Sequence, residues 1–139
     1  MAKVTYNVEI LQFMSLFEKV THSHLKDCFF SRDKMVFLVQ EGQLGKALGK
    51  NKSNVTRLEK LINKRFKIVE FNSDMHQFIA NLMAPLRIAK MDEDAGVVTI
   101  TGPDSKTKGL MIGARAQNLR EYESVVKKYF PELVEIKVV

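Results

Sequence analysis

One ten-residue frame occurs twice in this chain, 64 residues apart, and this repeat constrains the fold more than any other feature. The frame has two glycines four residues apart and an asparagine five residues after the second glycine: Gly45, Gly49 and Asn54 in the first copy, Gly109, Gly113 and Asn118 in the second. Five apolar positions then follow each copy at the same offset and at helical spacing: Val55, Leu58, Leu61, Ile62 and Phe66, matched by Leu119, Tyr122, Val125, Val126 and Phe130. We therefore interpret the chain as one folding unit used twice.

The hydrophobic pattern predicts the same order in each half: helix, strand, strand, helix, helix, strand. In the first half we predict a helix over 7–20, strands over 25–31 and 35–40 with a turn at 31–34, a short helix from 43, a helix over 53–63 and a strand over 66–71. In the second half we predict a helix that Asp74 caps and Pro85 ends, strands over 86–91 and 97–101 with a turn at 92–96, a short helix to 112, a helix over 117–129 and a strand over 134–138. The predicted fold class is α+β, with domains 1–73 and 74–139. Since no Gly-, Ser- or Pro-rich linker separates the two domains, we expect them to pack tightly together.

Basic residues are concentrated beside the first frame. The net charge of +6 fits solubility as well as it fits an anionic partner. Between residues 43 and 67, however, Glu59 is the only acidic residue among eight basic ones: Lys46, Lys50, Lys52, Arg57, Lys60, Lys64, Arg65 and Lys67. Such a local excess favours a docking surface for an anion.

The first frame has the composition of a phosphate-binding turn. A tight glycine turn between two helices brings backbone N–H groups to the N-terminus of the second helix, where the helix dipole favours anions. We expect Lys50, Asn51 and Lys52 to contact phosphate and sugar. Lys46 and Arg57 would flank them, and Gly45 and Gly49 would provide the geometry of the turn. The alternative is a solvated lysine loop without a ligand.

The second frame is less charged. Its candidate contacts are Gly113, Ala114, Arg115 and Ala116, with Arg120 beside them, and a purely structural copy is nearly as well supported. Asn54 and Asn118 begin a helix in each copy, which favours hydrogen bonds to the backbone of the turn over contacts with bases. An apolar groove under the bases has four candidates, although such residues more often belong to a core: Leu44, Leu48, Val55 and Ile68.

The sequence gives little support for an enzyme, a metal protein or a membrane protein. It contains no GxxxxGK[ST] and no H-E-x-x-H motif, so we expect no catalytic residues, no cofactor and no small-molecule substrate. Cys28 is the only cysteine, and His22 and His24 lack a third ligand at a metal-binding spacing, so we expect no metal site. We see no secretion signal and no apolar stretch long enough for a bilayer, and we expect a cytoplasmic protein.

The two frames resemble a known family. Residues 48–55, LGKNKSNV, resemble the I-G-x-x-G-x-N-[VI] signature of KH domains, and residues 112–119, IGARAQNL, are similar. The second glycine of the signature is replaced by Lys52 in one copy and by Ala116 in the other. The predicted element order resembles the type II, prokaryotic KH domain, and two such domains in tandem resemble the short archaeal NusA-like transcription termination/antitermination factors. This resemblance implies binding of single-stranded nascent RNA and a role in transcription elongation, termination or antitermination.

Two other functions fit the same residues. The KH folds could serve as the scaffold of a protein-interaction or assembly module, in which the lysine surface contacts RNA polymerase or ribosomal components. A ribosome-associated KH protein would instead prefer structured ribosomal RNA to short single strands. Since phosphate contacts contain no sequence information, the pattern predicts no RNA motif.

Overall fold

The computed structural model describes residues 8–31 and 34–139 of the chain. It divides into two compact units, one ending at Phe71 and the other covering Asn72–Val139. Each unit contains one three-stranded sheet. The predicted α+β class is confirmed, with the helix-strand-strand-helix-helix-strand order found in both units.

The elements of the first unit follow the predicted order closely: α1 Val8–Thr21, β1 Leu25–Ser31, β2 Lys34–Val39, α2 Leu44–Leu48, α3 Ser53–Leu61 and β3 Phe66–Glu70. A single 3₁₀ turn, Lys50–Lys52, separates α2 from α3. In the sheet, β2 is the middle strand, antiparallel to β1 and parallel to β3. The predicted start of the first helix at Asn7, and the central residues Arg32 and Asp33 of the predicted turn, lie outside the described residues.

The second unit repeats this architecture: α4 Met75–Met83, β4 Lys90–Asp94, β5 Val97–Thr101, α5 Ser105–Ile112, α6 Gln117–Tyr129 and β6 Glu135–Val138. A 3₁₀ turn, Ala114–Ala116, again separates the two later helices. The middle strand β5 is antiparallel to β4 and parallel to β6. As predicted, Asp74 caps α4, since its carboxylate accepts a hydrogen bond from the backbone N–H of His76.

The predicted hairpin of the second unit is wrong in its first strand. Strand β4 begins at Lys90, so the acidic residues assigned to the turn are paired instead with residues 97–99 of β5. The turn consists of Ala95 and Gly96 alone, with φ of 50° and 81°, the backbone of a two-residue type I′ hairpin. The polar sequence was misleading because an edge strand needs no apolar residues where its side chains face water.

The core of the first unit surrounds β2. Residues 35–39 are all buried, as is typical of a continuously apolar strand. Phe37 stacks on Phe17 of α1 with 4.4 Å between ring centroids, and Leu58 of α3 belongs to the same core. Leu61 is one of the five apolar positions at helical spacing, but it lies off the buried face of this helix, with its side chain 57% exposed.

Within residues 8–31 and 34–139, no helix has the length and apolar character needed to cross a membrane. Over the same described ranges, no group of three or more His, Cys, Asp or Glu side chains has the arrangement of a metal site.

Candidate nucleic-acid interface

The two glycine loops have the same backbone conformation. Gly49 has φ 77° and ψ 172°, and Gly113 has φ 74° and ψ 173°. The third and fourth loop residues are left-handed in both copies: Asn51 (55°, 33°), Lys52 (58°, 30°), Arg115 (55°, 30°) and Ala116 (60°, 24°). The sequence repeat is therefore also a structural repeat, and the loop keeps its shape where a lysine or an alanine replaces the second glycine.

An asparagine holds each loop closed. The Asn54 side-chain amide donates a 3.1 Å hydrogen bond to the carbonyl of Lys46 in α2, and Asn118 donates a 2.8 Å bond to the carbonyl of Leu110 in α5. Both carbonyls lie near the C-terminus of a helix, where backbone acceptors lack helical partners. The interpretation of these asparagines as backbone partners of the turn is therefore supported by direct contacts.

We expect Asn54→Ala to lower the free energy of unfolding by about 1 kcal/mol, because it removes this hydrogen bond between α2 and α3. The matched control is Asn63→Ala, since Asn63 lies exposed in the same unit and makes no hydrogen bond within the described residues. Urea unfolding of both variants measures the difference. Equal stability of the two variants would show that the hydrogen bond contributes nothing.

Glycine is required at one frame position and not at the other. A Cβ on Gly49 would lie 2.9 Å from the Asn54 Cγ, and a Cβ on Gly113 would lie 2.6 Å from the Asn118 Cγ. Gly45 and Gly109, by contrast, lie inside helices, and apart from the backbone of their own helix and their chain neighbours no atom of the described residues lies within 4 Å of a Cβ position. The expectation that Gly45 is needed for the geometry of the turn is therefore wrong.

The first loop presents unpaired positive charge. Lys46, Lys50, Lys52 and Arg57 are exposed, and none of them forms an ion pair with another described residue. The turn leads directly into α3, whose first N–H groups and dipole add positive potential at the same place. A Glu70 carboxylate oxygen from β3 accepts hydrogen bonds from the N–H groups of Gly42 and Leu44, which fixes the start of α2.

The second loop has the same shape and a different chemistry. The two copies differ at four positions with positive charge in the first copy. Lys46, Lys50, Lys52 and Arg57 correspond to Leu110, Ala114, Ala116 and Glu121. Arg115 is exposed at the tip of this loop, and the Leu110 side chain is 49% exposed beside it. Up to residue 71 the sequence has 13 basic and 7 acidic residues, whereas from residue 72 it has 9 of each. The net positive charge of the chain thus belongs to its first half.

Arg120, predicted to flank the second loop, already has a partner. Its guanidinium Nη1 donates a 2.9 Å hydrogen bond to the Glu123 carboxylate, and this contact raises the pKa of Arg120. The other oxygen of Glu123 accepts a 2.7 Å hydrogen bond from the N–H of Ile136 in β6. Glu123 is 5% exposed, and no pattern in the sequence marks this carboxylate as buried.

A pocket in the first unit was also missed. Its cavity of about 550 Å³ lies beside α3 and the start of β3, and it is lined by Lys34, Val55, Glu59, Ile62, Asn63, Lys64, Arg65 and Phe66. Lys67 follows these residues in β3, and burial together with the charge of Lys34 lowers its pKa from 10.5 to about 8. The basic run 64–67 was the available signal in the sequence, but only the fold brings Lys34 to the same place. Of the four apolar groove candidates, all half-buried, Val55 lines this pocket.

The chain is similar to proteins from archaea. It is 28% identical over 144 residues to the probable transcription termination protein NusA of Methanocaldococcus jannaschii, covering 100% of this chain and 77% of that protein. It is 30% identical over 122 residues to the probable transcription termination protein NusA of Methanococcus vannielii, covering 84% and 69%. The crystal structure of APE1850 matches with a TM-score of 0.67 and 25% identity, covering 96% of this chain and 100% of that one. No family model matches the sequence.

Proposed function

The chain belongs to the family of archaeal NusA transcription termination proteins, and on that premise we propose that it acts in transcription elongation, termination or antitermination by binding single-stranded nascent RNA. The observation behind this proposal is the first glycine loop, where exposed lysines surround a turn at a helix N-terminus. A KH loop of this kind holds about four nucleotides of single strand.

In this proposal the first loop supplies most of the affinity. Lys50, Asn51 and Lys52 contact phosphate and sugar, with Lys46 and Arg57 beside them. Gly49 leaves the backbone open to the strand, and Asn54 supports the turn from within. The second loop contributes less positive charge, and Arg120 beside it is already paired with Glu123. Its contacts come from Gly113, Ala114, Arg115, Ala116 and Asn118. The binding step needs no cofactor, metal or small-molecule substrate.

The test is fluorescence anisotropy with short single-stranded RNA of mixed sequence at several salt concentrations. We expect Lys50→Gln/Lys52→Gln to weaken binding roughly tenfold near 0.1 M salt and to reduce the log–log salt slope by about 0.7 for each lost phosphate contact. Lys19→Gln/Lys137→Gln is the charge-matched control, since both lysines are exposed and distant in sequence from the loops. Arg115→Gln should have the smaller effect that a second-loop contact implies.

RNA binding is disproved if the wild-type protein does not bind these single-stranded RNAs. If wild type binds and the first-loop variant binds equally well, the first loop is not the site. A preference for structured ribosomal RNA over single strands would favour the ribosome-associated alternative.

A protein partner is the second candidate function, and the second loop favours it. Leu110, Ala114 and Ala116 give this loop an apolar surface in place of lysines, and such a surface fits a protein better than a phosphate backbone. RNA polymerase or a ribosomal protein would be the partner. Leu110→Gln, which removes the apolar group without adding charge, should then abolish co-purification with polymerase while RNA affinity stays unchanged.

A further inference from the structure

The pocket beside α3 is separate from the first loop but connected to it by one helix. None of its lining residues belongs to α2 or to the turn Lys50–Lys52. Val55, in the first turn of α3, lines its near side, and Ile62, directly after the helix, lines its far side. From Ser53 to Ile62 the helical path is about 14 Å at 1.5 Å per residue, so a strand that already fills the loop needs further nucleotides to reach the far side of this pocket.

The lining of this pocket combines apolar and cationic groups. Val55, Ile62 and Phe66 provide apolar surface, and Lys34, Lys64 and Arg65 provide positive charge. Lys64 is 3.3 Å from Glu9 in an exposed ion pair, which screening makes easy to exchange for another anion. A volume of about 550 Å³ falls within the range of pockets that hold small organic groups.

One acidic side chain lies among these cations. Glu59 is exposed, and its carboxylate makes no hydrogen bond or ion pair with a described residue. The same frame position in the second unit is Glu123, which is buried and bonded to Arg120 and Ile136. The first unit therefore keeps the pocket open at a position where the second unit has a buried contact between its helix and its last strand.

We propose that this pocket is a nucleotide subsite of the bound strand, with a base on the apolar wall and a phosphate near Lys34, Lys64 and Arg65. This inference rests on the proposed RNA binding and extends the binding surface beyond the loop. An apolar wall next to cations fits a nucleotide, since a base stacks on apolar or aromatic groups while its phosphate needs positive charge. An acidic peptide would use the cations but leave the apolar wall exposed to water.

The experiment compares the affinities of two uridine oligomers, one of about four nucleotides, which the loop alone accommodates, and one of about eight. Wild type is expected to bind the longer strand at least tenfold more tightly, the gain of about one stacked base. Lys34→Gln/Lys64→Gln should remove that gain and leave the affinity for the shorter strand unchanged. Lys50→Gln/Lys52→Gln should lower the affinity for both strands. The control Lys19→Gln/Lys137→Gln should leave the ratio of the two affinities unchanged.

Glu59→Gln is a second test variant. Misfolding cannot produce its expected result, because that result is a gain in RNA affinity. Removing the carboxylate from the cationic rim should raise affinity for the longer strand about threefold at low salt, through loss of one like-charge repulsion. The affinity for the shorter strand should not change.

The outcomes separate this inference from the proposed function. If no strand binds, both fail. If both strands bind equally well, or if the pocket variants weaken both strands by the same factor, RNA binding stands and the subsite is disproved. If free uridine monophosphate competes with the longer strand equally well in wild type and in Lys34→Gln/Lys64→Gln, the subsite is again disproved. Competition that disappears in this variant supports the subsite.

Discussion

Gly113→Ala is expected to destabilise the second unit by about 2–4 kcal/mol. Its φ of 74° and ψ of 173° lie in a region that only glycine populates readily, and other residues there are strained by about 1–3 kcal/mol. The new Cβ would also approach the Asn118 Cγ to 2.6 Å. The asparagine would have to move and lose its hydrogen bond to Leu110, a further loss of about 1 kcal/mol.

The control for this variant is four residues away. Gly109→Ala places a Cβ in open space on helix α5, so it should stabilise the unit by about 0.5–1 kcal/mol through higher helix propensity. Gly49→Ala and Gly45→Ala form the same pair in the first unit. Urea unfolding of the full chain gives the free energies, and hydrogen exchange in α5 and α6 shows which unit responds. Equal destabilisation by both members of a pair would contradict the assignment.

Glu123→Ala is expected to destabilise the second unit by about 2–4 kcal/mol, because it leaves the N–H of Ile136 without its acceptor in a buried position. It also separates Arg120 from its carboxylate, a smaller effect because the arginine is largely exposed. Glu123→Gln keeps an acceptor of similar size and should lose about 1 kcal/mol.

Glu59→Ala is the matched control for this second variant, since it truncates the same residue type at the same frame position. Glu59 is exposed and has no partner among the described residues, so the change in stability should stay within about 0.5 kcal/mol. The rate of hydrogen exchange at the Ile136 amide in β6 measures the contact directly, because exchange is faster once the acceptor is lost. Unchanged protection of Ile136 in Glu123→Ala would disprove the role assigned to this carboxylate.

Local patterns predicted most of the fold. The repeated frame and the apolar spacing after it gave the element order of both units, and several bounds, such as Leu25–Ser31 and Gln117–Tyr129, agree with the prediction to the residue. These elements were accessible because their buried faces repeat at helical or strand periods. Strand β4 was misplaced because its side chains face water and show no such period.

The loops were predictable for a different reason. A positive φ is easily recognised where glycine supplies it, as at Gly49 and Gly113, and the asparagine five residues later completed the frame. The left-handed backbone of Lys52 and Ala116 had no such local signal, because neither residue favours that conformation. Only the structure shows that the loop keeps its shape without a second glycine.

The sequence by itself determined that one unit occurs twice, in which order its elements follow, and which loop has the positive charge. The tertiary structure alone decided what the matched residues Glu59 and Glu123 do. Helix α6 has 13 residues where α3 has 9, so its strand starts later and presents the Ile136 N–H to Glu123, whereas Glu59 lines an open pocket. The reason is physical: hydrogen bonds and cavities depend on distances between residues that are separated along the chain, and a repeated sequence fixes only the short-range part of those distances.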